Sequence, residues 1–359
     1  MRGRFPRRAW IAALTVAILA ASALAGVTAA AESNTYVVHN LVANVPGAAD
    51  HPDANLVNGW GLTSLATSPW WVADNGANVT TLYRADGTAV SLVVQVPNAP
   101  TGAVSNAGTQ FVVSNGTSSG PAAFIFATEE GKILGWNQGV PPPPPSHQAQ
   151  VAVNHSNIGA VYKGLAIAGN RLYATDFHNN RVDVFDGSWS PVNVPGAFVD
   201  PNMPDGFAPF GIQNIGGTIF VTYAKHDEAG HDDVAGQGLG FVDMFDTSGT
   251  FLGRVAQRGQ LNSPWGLAMA PANFGRFGGD LLVGNFGDGE INAYELQPNG
   301  SFEHRGELRG MDGKVLALDG LWSLQFGKGA ANNGPLDTLF FTAGPNGEAD
   351  GLFGTIRAG

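Results

Sequence analysis

The chain of 359 residues has no cysteine and is poor in positive charge, with 18 lysines and arginines against 29 aspartates and glutamates and a formal charge of −11. Without thiols, disulfides, thiolate-bound zinc and iron–sulfur clusters are excluded, so core burial alone must hold the fold. The shortage of basic residues excludes nucleic acid as a natural partner, because phosphate neutralisation needs clustered lysine and arginine. Helical periodicity is missing as well: beyond the N-terminal segment no stretch keeps it for three turns. No later apolar run is long enough to span a bilayer. There is no GxSxG elbow, no HExxH and no complete EF-hand loop.

What is present begins with Arg2, Arg4, Arg7 and Arg8 ahead of an apolar run from Ala9 to Ala25 and a tail of small residues. This is the layout of a secretory signal peptide, assigned to residues 1–31. Its removal takes away four arginines and no acid, leaving −15 on residues 32–359. The mature chain is then expected to be one domain, secreted or periplasmic, with no membrane span, and a monomer.

Fifty glycines and 22 prolines in short clusters indicate many tight turns. Between them a strand–turn–strand phrase recurs, cleanest in RLYATDFHNNRVDVFD (Arg171–Asp186), with further copies at Trp70–Gly87, Gln110–Gly131, Thr218–Asp246, Asp280–Glu295 and Asp337–Ile356. Each copy follows a glycine–hydrophobic step such as NGWGL (Asn58–Leu62) or PWGLA (Pro264–Ala268), where glycine lets backbone pass and proline needs no ladder hydrogen bond. Six repeats at this period predict a radial array: an all-β, six-bladed β-propeller, with boundaries near 47–97, 98–157, 158–205, 206–260, 261–313 and 314–359. The last repeat stops after three strands, and TYVVHNLVA (Thr35–Ala43) is a strand without a partner of its own. It is expected to complete the last blade and close the ring. Pro141–Pro145 reads as a short surface polyproline segment, a spacer between blades.

ATDFHNNRVDVFD (Ala174–Asp186) resembles the NHL-repeat signature. With Tyr223–Asp246, Ser263–Tyr294 and Leu339–Gly354, nearly all of Thr35–Gly359 resembles an uncharacterised family of exported bacterial NHL-like β-propellers. That resemblance implies fold and export, and no activity.

In a propeller of this type the loops between second and third strands share a face with the starts of the inner strands, so two columns of residues meet at the central opening. The first is Trp60, Thr101, Lys163, Phe210, Trp265 and Trp322, read as an aromatic collar for a small molecule, glycan or peptide, with interblade core as the competing reading. The second ends the second strands: Asp74, Asn115, Asp176, Ala224, Asn285 and Ala343, mostly expected to accept backbone hydrogen bonds in turns.

The blade-four insertion KHDEAGHDD supplies Asp227, His231, Asp232 and Asp233; Asp288 and Glu348 lie in glycine-rich loops of the same face. Carboxylates with imidazole suit a divalent cation, Ca²⁺, Mg²⁺, Mn²⁺ or Zn²⁺, and a solvated acidic loop is the competing reading. Glu129 reads as an ordinary surface residue, and His178 as a surface turn residue. Catalytic residues are not identifiable. Three functions remain open: a ligand-binding propeller, a metal-dependent hydrolase or lyase by analogy with gluconolactonase- and streptogramin-lyase-type propellers, and a structural scaffold.

Overall fold

A computed structural model of the protein describes residues 33–359; the signal-peptide assignment falls outside the described residues. Six sheets, antiparallel but for a short parallel pairing of Val42 and Ala43 with His51 and Pro52 at the edge of the last, follow one another along the chain as the blades of a β-propeller. Blade 1 runs through Gly59–Thr63, Trp70–Asp74, Val79–Tyr83 and Val94–Gln95, and blade 2 through Pro100–Ser105, Phe124–Thr128, Lys132–Trp136 and Gln150–Asn154. Blade 3 has three strands, Tyr162–Ala168, Arg171–Asp176 and Arg181–Asp186. Blade 4 is Phe207–Ile215, Thr218–Lys225, Gly240–Phe245 and Phe251–Gln257; blade 5 is Pro264–Met269, Leu281–Asn285, Ile291–Leu296 and Phe302–Glu307.

Blade 6 contains Leu321–Phe326, Leu339–Ala343 and Leu352–Ala358, and its outer strand is Tyr36–Ala43 from the other end of the chain. The pairing runs antiparallel from Tyr36 opposite Ala358 to Ala43 opposite Leu352. Tyr36, Leu41, Val42 and Ala43 are buried there, and the Tyr36 hydroxyl donates to the Phe274 carbonyl. The expected ring closure is therefore present, and it covers an edge that would otherwise be open.

The glycine–hydrophobic step has a specific physical cause. A methyl group on Gly61 would lie 2.3 Å from the Thr101 carbonyl oxygen of the next inner strand, and one on Gly211 would lie 2.1 Å from that of Trp265. Inner strands crowd around the axis so tightly that only glycine fits between neighbouring backbones. In blade 6 a serine takes that position, and the Ser323 hydroxyl instead accepts the Leu62 N–H of blade 1. The residue just before each such position is left to fill the axis.

Two local expectations are corrected. In blade 2, Val112–Ser114 and Ser119–Pro121 form a separate small hairpin, so the true second strand is Phe124–Thr128 and the residue after it is Glu129, not Asn115. The sequence offered two short strand-like runs, and the competing pair was glycine-rich enough to fold back on itself. Pro141–Pro145 lies within blade 2, between its third and fourth strands, and does not join blades. Among the described residues no helix is long and apolar enough to cross a membrane.

Candidate functional site

At the axis the large side chains preceding the glycines converge. Trp322 stacks with Trp60 at 3.8 Å between ring centroids and with Phe286 at 4.0 Å, while Phe210 and Trp265 each meet it edge-on at 5.9 Å. Trp60, Phe210, Trp265 and Trp322 are all buried, and Phe177 and Phe286 complete the cluster. The five proposed ligand-binding residues, these four and Lys163, are thus brought together, but as a closed aromatic plug in place of an open collar. Six blades leave a narrow axis, and rings at 4–6 Å gain more from one another than from water.

Lys163 sits on this plug, only 2% exposed, with its ammonium 5.2 Å from the Trp60 ring centroid and 5.9 Å from that of Phe177. Its charge is answered by Glu129 Oε1 at 2.5 Å and Asp232 Oδ1 at 3.6 Å. The other Glu129 oxygen accepts from Asn75 Nδ2 at 3.0 Å. Asn58, also buried, ties plug to rim: its Oδ1 accepts the Trp322 indole N–H at 2.9 Å and its Nδ2 donates to Glu348 Oε2 at 2.6 Å. Burial first, then the neighbouring Glu129 and Asp233 carboxylates, push the Glu348 carboxyl above its ordinary range, against the pull of Asn58 and Lys163. Asp233 is pushed up by burial too, with the Ser263 hydroxyl and Lys163 pulling back. All six blades contribute to this polar layer, which carries four carboxylates over one ammonium.

Among the described residues one group of acids and imidazole can hold a metal ion: a ligand atom from each of Glu129, His231 and Asp232 lies within 4.8 Å of the others. His231 Nδ1 is 2.8 Å from Asp232 Oδ1. Both are exposed, so an ion there would keep an open side. Of the six proposed metal residues, His231 and Asp232 are in this trio, while Asp233 and Glu348 stand behind it as second carboxylates. Asp227 and Asp288 are engaged locally. Asp227 accepts the His231 backbone N–H at 2.9 Å, which holds its carboxyl below the usual range, and an antiparallel bridge between His226 and Asp233 closes the loop. Asp288 accepts from Asn262 Nδ2 at 3.0 Å and from the Glu290 N–H.

Glu129, read from sequence as an unremarkable surface position, is the residue that couples Lys163 to the acidic rim. It was hidden by the misplaced second strand of blade 2. Asn58, Phe177 and Phe286 were also missed. A signal existed for the last two, each of which directly follows an Asp or Asn ending a second strand. The strand-end column itself is structural at Asp176, whose Oδ1 accepts the Val161 N–H while Oδ2 accepts from Asn179 Nδ2. Asp74 differs: it is fully buried and neither oxygen has a hydrogen-bond partner. His178 lies in its turn as expected, its Nδ1 2.9 Å from the Ala229 carbonyl of the blade-four loop.

No protein-family model matches the chain. It is 32% identical over 335 residues to the uncharacterised protein R648 of Acanthamoeba polyphaga mimivirus, covering 90% of this chain and 80% of that one. Among solved structures, a protein of unknown function from Bacteroides thetaiotaomicron superposes with a TM-score of 0.56 at 9% identity, over 90% of this chain and 76% of that one. A catalytically inactive virginiamycin B lyase from Staphylococcus aureus with quinupristin superposes with a TM-score of 0.50 at 13% identity, over 90% and 99%. At such identities these two likenesses concern the fold alone.

Proposed function

This chain belongs to the family of the mimivirus protein R648, and from that premise we propose that it is a ligand-binding β-propeller whose central acidic face captures its ligand through a divalent cation. The observation that carries this reading is the convergence of Glu129, His231 and Asp232 from blades 2 and 4 above a sealed aromatic floor. Two carboxylates and an imidazole suit Mn²⁺, Zn²⁺ or Mg²⁺ better than Ca²⁺, which prefers six or more oxygens. Because the aromatic rings are closed over, the ligand meets the polar rim and the ion, which favours hydroxyl- or carboxylate-bearing small molecules, glycans or peptides. The N-terminal pattern supports a place outside the cytoplasm, secreted or periplasmic, and the closed ring supports a monomer.

A metal-dependent hydrolase or lyase is the second reading, favoured by the exposure of His231 and Asp232. An ion held from one side keeps a position at which water or a carbonyl can be polarised.

The test is calorimetric titration of the protein with Mn²⁺, Zn²⁺, Mg²⁺ and Ca²⁺, repeated on Asp232→Asn and on Asp288→Asn. The reading requires saturable binding of one ion that Asp232→Asn weakens at least tenfold and Asp288→Asn leaves alone. Absence of binding in the parent, or equal loss in both variants, refutes it.

A further inference from the structure

Away from the axis, a cavity of about 640 Å³ opens between the outer strands of blades 4 and 5, Phe251–Gln257 and Phe302–Glu307. That is the size range of small-molecule sites. Its walls include the rings of Phe251, Tyr294 and Phe302 together with the amides of Asn202, Gln257 and Gln260. Aromatic faces beside amides and a guanidinium are what a sugar ring needs, since its C–H face packs on aromatics while its hydroxyls take planar donors and acceptors.

The charges select further. Asp200 is the one acid lining the cavity, and Arg254 occupies it: Arg254 contacts the Asp200 carboxylate and donates from Nε to Asp243 at 2.9 Å and from Nη1 to Gln257 Oε1 at 3.0 Å. Arg258, also in the lining, has no acid partner among the described residues. It is held in place. The Arg258 guanidinium lies 5.6 Å from the Phe241 ring centroid, the same ring that Arg254 meets at 4.7 Å. Its backbone is left-handed, φ 53°, where glycine or asparagine would fit with less strain.

We propose that this interblade cavity is a second binding site, for an oligosaccharide whose sugar carries a carboxylate, with Arg258 as the carboxylate receptor and Phe251, Tyr294 and Phe302 as the ring-packing wall. A guanidinium offers a carboxylate two parallel N–H donors, and such charge-assisted pairs are the strong ones. The site shares no residue with the acidic group at the axis.

The experiment is titration calorimetry of the full chain with tetramers of galacturonate, of glucuronate and of neutral galactose, in the presence of EDTA. At least one uronate tetramer should bind at a single site, with the neutral tetramer weaker by about tenfold or more. Arg258→Gln should abolish that preference, Arg258→Lys should retain part of it, and Asp232→Asn should leave it unchanged. Failure of both uronate tetramers to bind, equal affinity for the neutral one, or undiminished binding by Arg258→Gln each overturns the proposal. Because Arg258 is exposed, its variants are expected to fold, and a thermal melt matching the parent confirms that the comparison is made on native protein.

Discussion

Replacing Lys163 by methionine separates the roles of the axial charges. In the parent the ammonium already sits 2.5 Å from Glu129 Oε1 and 3.6 Å from Asp232 Oδ1, two of the oxygens a divalent ion would use. An ion bound at ordinary metal–oxygen distances would lie about 4 Å from that ammonium. At an effective dielectric between 20 and 80, the repulsion of a single and a double charge at that separation is about 2–8 kcal/mol. Methionine keeps the apolar stem against Trp60 and Phe177 and removes the competing charge. Two opposed consequences follow. Without metal, Lys163→Met leaves Glu129 uncompensated beside Asp233 and Glu348, and loss of one partner of a buried pair costs about 3–5 kcal/mol. With metal, the same variant should bind at least tenfold more tightly than the parent, and the ion should restore most of the lost stability by mass action. Calorimetric titration with Mn²⁺ and Zn²⁺, paired with thermal melts in EDTA and at saturating ion, reads both. A variant that is destabilised but neither binds more tightly nor regains stability with metal would show that Lys163 is the permanent counter-ion of these carboxylates and that no metal site lies beside it.

Other perturbations test other parts of the argument. Leu41→Ala in the closing strand should cost about 2–5 kcal/mol in a urea titration, and deleting residues 33–45 should abolish cooperative unfolding; a truncated chain melting within a few degrees of the parent would refute ring closure as a source of stability. Trp322→Ala should cost about 3–5 kcal/mol, because it leaves a void among stacked rings; a melt unchanged from the parent would show that the plug is not packed as described. Burial pushes the Asp74 carboxyl well above its ordinary range, and the Asp53 carboxylate adds to the rise. A folded-state pKa above the unfolded one means that stability is highest below about pH 4 for this group and declines as pH rises toward the folded value. Asp74→Asn should remove that decline and be more stable than the parent at pH 8 by denaturant titration, and a steeper decline in the variant would contradict it. Glu348 is raised as well, so ion binding at the axis should release protons and strengthen as pH rises through and above the ordinary carboxylate range; affinity that falls as pH rises there would exclude Glu348 from the field of the site.

The amino-acid sequence by itself determined the architecture. A strand–turn–strand phrase repeated six times, each behind a glycine, is enough to specify blades, because the period, the turn residues and the close approach at Gly61 or Gly211 are local requirements that each repeat states for itself. The missing last strand and the orphan Tyr36–Ala43 were likewise legible, since one edge needed a partner and one strand lacked one. The composition of the axial face could also be read, as could His231 and Asp232 within it. What the sequence could not decide was which way those side chains resolve at the centre. Aromatic residues in one ring are compatible with an open collar or a closed plug, and only the radius of the assembled ring and the mutual stacking of Trp60, Trp322 and Phe286 selected the plug. Glu129, Asn58 and Lys163 come from three different blades and more than a hundred residues of chain, so no local pattern links them. Their hydrogen bonds and ion pair exist because closing the ring forces these groups into one small volume of low dielectric, where each buried charge must find a partner.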